Sequence, residues 1–144
     1  MNAIKGFFGS YRFLSNFWPC TVEFEGLVYP SSEAAFQAQK TVEQEERQVF
    51  TRLSAGAAKR RGREVRCRGG WDDVRLDVMY RVLRAKFADP SLARRLVDTG
   101  DAYLEETNYW RDVFWGVFQG RGENNLGLLL MVVRAELQVA HEGY

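Results

Sequence analysis

The sequence predicts a mainly helical α+β protein: a compact single domain of packed helices over residues 1–144, with a small N-terminal antiparallel β element. Three observations carry this expectation. From Ser31 onward, helix start and stop signals bracket one amphipathic or apolar stretch after another. Ahead of them, "CTVEFEGLVYP" alternates apolar and polar residues around Glu25-Gly26, the pattern of a short hairpin. No internal repeat, low-complexity tract or Pro/Gly-rich linker divides the chain, and a 46% hydrophobic, 14% aromatic composition supplies core material for 144 residues.

The elements follow in order. "YPSSEAAFQAQK", Tyr29 to Lys40, reads as a helix start in which Ser31 or Ser32 serves as N-cap and Glu33 supplies a first-turn acid. Glu33, Phe36, Gln37 and Lys40 are spaced i, i+3, i+4 and i+7 and so share one face, while Ala34, Ala35 and Ala38 make the other side small enough to pack closely on a neighbour. Helical patterns continue through "VEQEERQVFTRL" and "SAGAAKRRGREV". "WDDVRLDVMYRVLRAKF" carries an apolar stripe of Val74, Val78, Met79, Val82 and Leu83. "PSLARRLVDTG" opens with Pro90 and closes at Gly100, "DAYLEETN" reads as a short extended piece, and a final helix from about Asn125 to Val139 is expected to bury "LGLLLMVV".

Composition excludes several classes of function. A formal net charge of +1 lacks the broad basic excess of a general nucleic-acid or membrane-surface binder, so any anion site must be local. Cys20 and Cys67 stand far apart without a CxxC pairing, which indicates neither a disulfide framework nor a zinc knuckle and suits a reducing, cytoplasmic setting. No apolar run is long enough to span a bilayer. The sole histidine is His141, near the C-terminus, so triad chemistry and His-rich metal sites are disfavoured and acid–base work falls to carboxylates. No metal and no cofactor is expected, and the sequence assigns no oligomeric state.

Several stretches could carry chemistry, each with an ordinary alternative. The first-turn Glu33 is either a helix-start acid or a carboxylate bordering a pocket. "KRRGREVRCR", Lys59 to Arg68, is either a solvated helix face or a phosphate grip through Arg63 beside Gly62, since a guanidinium fork suits phosphate oxygens. "GVFQGRGENNLG" has neither the dinucleotide spacing nor a P-loop lysine, and is either a plain loop or a set of backbone N–H groups facing an anion at a helix N-terminus. In "FLSNFWPC" and "NYWRDVFWG" aromatic residues sit beside Asn and Asp, as in a core or around a stacked heterocycle.

Taken together in this order, "FLSNFWPC", "YPSSEAAFQAQK", Gly62-Arg63, "RAKF", "LEETNYWRDVFWG" and "GRGENNLGLLLMVVR" resemble the YbiA-like NADAR family across nearly the whole chain. The resemblance implies N-glycoside hydrolysis: cleavage of the bond between a ribose and a nitrogen base, either in riboflavin-pathway ribosylamino-pyrimidine phosphates or in ADP-ribosylated guanine of nucleic acid. It implies Glu33 as the catalytic carboxylate, with Asp112 either sharing the catalytic work or holding the ribose hydroxyls or a leaving-group nitrogen. It places Asn16, Asn108 and Trp115 at the substrate; beside them Phe17 is a candidate for stacking the base or sugar, Lys40, Arg63 and Lys86 are candidates for phosphate, and Gly116 and Asn124 are expected as further substrate contacts. Many members carry histidine directly after the glutamate where this chain has Ala34, so its chemistry must proceed without that imidazole. A second class of function consistent with the same residues is a nucleotide or ADP-ribose binding module without turnover.

Overall fold

In the computed structural model the element order is β1 (Ala3–Lys5), a 3-10 helix (Gly9–Leu14), β2 (Val22–Phe24), β3 (Leu27–Tyr29), α1 (Ser32–Ala38), α2 (Gln44–Phe50), α3 (Ala55–Glu64), α4 (Trp71–Lys86), α5 (Pro90–Val97), β4 (Tyr103–Glu105) and α6 (Asn125–Glu142). The structure describes residues 2–142, with side chains to residue 140; the imidazole of His141 therefore lies outside the described residues. The helices and the small sheets make this a mainly helical α+β protein. The chain divides into two compact units, Asn16–Lys86 and Met1–Ser15 with Phe87–Tyr144.

In the unit Asn16–Lys86, β2 and β3 pair antiparallel with Phe24 opposite Leu27. Glu25 and Gly26 both take positive φ, 47° and 85°, so the hairpin closes on a two-residue turn of the type that matches strand twist. α1 is the centre of this unit and packs on β2, β3, α2, α3 and α4. All seven of its residues are buried, and Ala34, Ala35 and Ala38 are what allow neighbours to approach from so many sides. Its N-cap is Ser31, whose Oγ accepts from the Ala34 amide at 3.1 Å. Ser54 caps α3 in the same way, accepting from Ala57 at 3.2 Å. α4 buries Val78, Met79, Val82 and Leu83, the stripe expected from its period.

In the other unit, β1 and β4 pair parallel with Ile4 opposite Leu104. α5 begins with Pro90 behind Asp89, whose Oδ1 accepts from Ser91 and Leu92 at 2.8 and 3.1 Å. α6 packs on β4 and α5. It buries Leu126, Leu130 and Val133, but Leu128 and Val132 are exposed. The expectation that the whole run "LGLLLMVV" is buried is thus corrected: a helix covered along one stripe turns the intervening apolar residues to solvent. Among the described residues no helix is long and apolar enough to cross a membrane.

Candidate functional site

The residues singled out from sequence fall into two groups, one in each unit. The first is built on α1. Asn16 and Glu33 are adjacent because the Glu33 amide, an N-terminal helix donor without an intrahelical acceptor, donates to the Asn16 carbonyl at 3.0 Å. The Asn16 side chain is fixed as well, its Oδ1 accepting from Ser32 Oγ at 2.8 Å and its Nδ2 facing Met79 Sδ at 3.5 Å. The Glu33 carboxylate takes no part in the cap that Ser31 provides. It is only 9% exposed, and its Oε2 accepts from Gln37 Nε2 at 2.7 Å.

Lys40 continues the same face. Its Nζ donates to the Gly62 carbonyl at 3.4 Å. Burial pushes its pKa below the ordinary lysine value, Cys67 and Glu33 oppose that shift, and Arg63 adds to it. Lys40 is therefore close enough to Glu33, Arg63 and Cys67 to feel the charge of each. Arg63 itself is exposed in the last turn of α3, consistent with either a solvated face or a phosphate contact. Phe17 is 41% exposed, with Lys59 Nζ 5.8 Å from its ring centroid. This pairs an open aromatic face with a cation that the sequence reading did not single out. Lys86 is fully buried at the end of α4.

The second group lies in the loop between β4 and α6, where most polar side chains hold backbone. Asn108 donates through Nδ2 to the carbonyls of Asp112 at 2.8 Å, Val117 at 3.3 Å and Glu106 at 3.4 Å, and accepts at Oδ1 from the amides of Asp112 and Trp110 at 3.0 and 3.2 Å. Asp112 Oδ1 accepts from the amides of Trp115 at 2.8 Å and Phe114 at 3.1 Å. Asn124, at φ 55°, accepts from the Glu106 amide at 2.9 Å and donates to the Leu104 carbonyl at 2.9 Å and the Tyr103 hydroxyl at 3.1 Å. Gly116 is required sterically: a Cβ there would collide with the Glu106 carbonyl and come within 2.7 Å of Asn108 Nδ2. Asn108, Asn124 and Gly116, expected at the substrate, thus have demonstrable work in shaping the loop. Trp115 is half-buried and set edge-on to Phe114 at 4.8 Å.

The same network engages part of the backbone of "GVFQGRGENNLG". The amides of Glu123, Asn124, Asn125 and Leu126 donate to the carbonyls of Val113, Gly116, Phe114 and Trp115 at 2.8 to 3.2 Å. These four N–H groups at the head of α6 are satisfied within the loop. Among the described residues no three His, Cys, Asp or Glu side chains group as metal ligands, and Cys20 and Cys67 are not joined in a disulfide.

Two features were missed in the sequence reading. Gln37 was seen to share a face with Glu33, but its bond to the carboxylate was not anticipated, although a Gln four residues after a Glu is a signal for such a pair. The Ser32 bond that orients Asn16 had no sequence signal, because the two residues meet only when the chain before the hairpin returns to α1.

Comparison with known proteins agrees with this architecture. The chain belongs to the NADAR domain family, whose model matches residues 6–138. It is 36% identical to the N-glycosidase YbiA of Escherichia coli K12 over 134 residues, covering 90% of this chain and 83% of that protein. A riboflavin biosynthesis protein of Vibrio vulnificus is 42% identical over 135 residues, but there the chain spans only 36% of the relative's length. The NMR structure of E. coli YbiA superposes with a TM-score of 0.88 at 34% identity, covering all of this chain and 90% of that one.

Proposed function

We propose that this protein is an N-glycosidase that hydrolyses the C–N bond between a ribose phosphate and a nitrogen base, with ribosylamino-pyrimidine phosphates of the riboflavin type as its substrates. The observation that carries the reading is the Glu33 carboxylate, desolvated on α1, held by Gln37 and set in a chain similar to an N-glycosidase and to a riboflavin biosynthesis protein.

Cleavage of a ribosyl C–N bond passes through an oxocarbenium-like state. A carboxylate in a partly dehydrated setting stabilises that developing positive charge more strongly than it would in water. Glu33 does this and takes a proton from the attacking water. The new C–O bond forms at the anomeric carbon, the electron pair of the broken bond leaves on the base nitrogen, and that nitrogen takes up a proton. Arg63 and Lys40 grip the phosphate, and Phe17 offers its open face to the flat base. Asp112, with Oδ1 engaged by two amides, is assigned to loop geometry around Trp115 rather than to proton transfer.

Incubation with a ribosylamino-pyrimidine phosphate and, in parallel, with an ADP-ribosylated guanine oligonucleotide tests the reading. The expected result is release of free base and ribose 5-phosphate from the first, undiminished by EDTA. Release of ADP-ribose from the second alone would move the assignment to nucleic-acid-linked substrates. Binding of either without turnover would make the protein a binding module.

A further inference from the structure

We infer that Gln37 is a positioning residue for Glu33, and that Gly62 is present in α3 to make room for the Gln37 amide. The inference rests on the reading of Glu33 as the catalytic carboxylate. Gln37 lies one helical turn after Glu33, is buried, and donates a short 2.7 Å bond from Nε2 to Glu33 Oε2. Its other amide atom has no such use: Oε1 is buried and accepts no hydrogen bond. Exchanging the two ends of the amide would turn that oxygen toward a carboxylate oxygen and remove the bond, so the orientation with Nε2 on Glu33 is the consistent one.

A side chain present at this place only to fill space would be apolar, because a buried acceptor left unsatisfied weakens the fold. The orphaned oxygen is explained if the residue is kept for its donor. Gly62 repeats the logic from the facing helix. It is buried within α3, where glycine is a poor helix former, and a Cβ there would lie 2.6 Å from Gln37 Cδ and collide with Oε1. Two locally unfavourable choices, an unpaired amide oxygen on α1 and a glycine inside α3, meet at one point. What they preserve together is the hydrogen bond from Gln37 Nε2 to Glu33 Oε2, which helps to orient the carboxylate. The Gly62 carbonyl in turn accepts from Lys40, which keeps this turn of α3 in register with α1.

The test measures kcat, KM and Tm for Gln37→Met, Gln37→Ala, Gly62→Ala, the Gln37→Ala/Gly62→Ala double variant and Glu33→Gln, on whichever substrate the wild type turns over. Gln37→Met keeps the volume and removes the orphaned oxygen. It is expected to lower kcat about tenfold or more, as misplacement of a reacting group does, with KM within about twofold of wild type and Tm unchanged or higher. Gly62→Ala is expected to lower kcat similarly, yet to cost no further kcat in the Gln37→Ala background, since its effect passes through the amide. If Glu33→Gln is inactive while Gln37→Met keeps kcat within about twofold of wild type, the positioning role is overturned and the reading of Glu33 stands. Losses that follow Tm or appear in KM make Gln37 a packing residue and also overturn it. If Glu33→Gln is active, the function proposed for Glu33 fails, and the inference fails with it.

Discussion

Glu33→Gln separates a carboxylate that does chemistry from one that merely starts a helix. The replacement keeps the volume of a buried side chain on α1, and its amide oxygen can still accept from Gln37 Nε2, so the packing of that helix is preserved. What is lost is one unit of charge. Exchanging a charge-assisted hydrogen bond for a neutral one removes about 1 kcal/mol, and losing a first-turn charge removes a further ~0.3–1 kcal/mol. Relief of the desolvation of a buried carboxylate offsets part of this. The net change is expected within about 2 kcal/mol, a fall in Tm of roughly 8 °C at most for a chain of this size. Catalysis is affected on another scale, because the variant can neither balance the developing oxocarbenium charge nor accept the water's proton. General acid–base catalysis alone supplies ~10²–10⁴-fold, so kcat is expected to fall at least a hundredfold, about 2.7 kcal/mol of barrier. Saturating-substrate kinetics following released base, run beside a thermal melt, read both quantities. Turnover within a few-fold of wild type together with a markedly lower Tm would refute the mechanism and leave Glu33 as a helix-start residue.

Other expectations follow from the same geometry. Arg63→Ala, at an exposed position, is expected to raise KM for the phosphorylated substrate by tens-fold, about 2 kcal/mol for a charge-assisted contact, without altering the melt; an unchanged KM would return the basic run to a solvated helix face. Asn108→Ala removes the side-chain acceptor of two backbone amides and the donor to the Asp112 carbonyl in the loop before α6 and is expected to cost about 2–4 kcal/mol, read as a lower urea midpoint at unchanged m-value. Alkaline stability should show two opposed slopes. Lys40 has its pKa lowered by burial, so between that lowered value and about 10.4 the unfolded chain binds more protons and stability rises with pH. Tyr29 has its pKa raised by burial, so above about 10 the folded chain keeps a proton that the unfolded chain loses, and stability falls. Melts across this range should show Lys40→Met flattening the rise and Tyr29→Phe flattening the fall.

Three helices, α1, α3 and α5, were legible because they carry their own boundary chemistry: Ser31, Ser54 and Asp89 accept from the amides that a helix start leaves open. The hairpin was legible for a related reason, since Glu25-Gly26 lies in the turn itself. The β1 and β4 pairing was not. Ala3–Lys5 is three residues long, has no alternation to read, and finds its parallel partner about a hundred residues later with no local turn to announce it. In the candidate site, Glu33 could be picked out because a charge in a helix start invites two explanations. The loop residues could not be sorted from sequence for a physical reason: irregular backbone must satisfy its own N–H and C=O groups, so Asn108 and Asn124, which hold backbone here, are as polar as ligand contacts would be.

That loop also sorts its residues by how freely they can change. Asn108 and Asp112 point inward and hold backbone, while the residues between and after them, Tyr109 at 78% exposure, Trp110 at 52%, Arg111 and Val113, face solvent. A library that randomises these outward positions and keeps Asn108, Asp112 and Gly116 fixed would alter the chemistry of the exposed rim while leaving its framework intact. Selections for new binding would begin there, with Arg111 limited by its φ of 65° to residues that accept the left-handed region and Tyr109 exchanged at the expense of its stacking on Phe8.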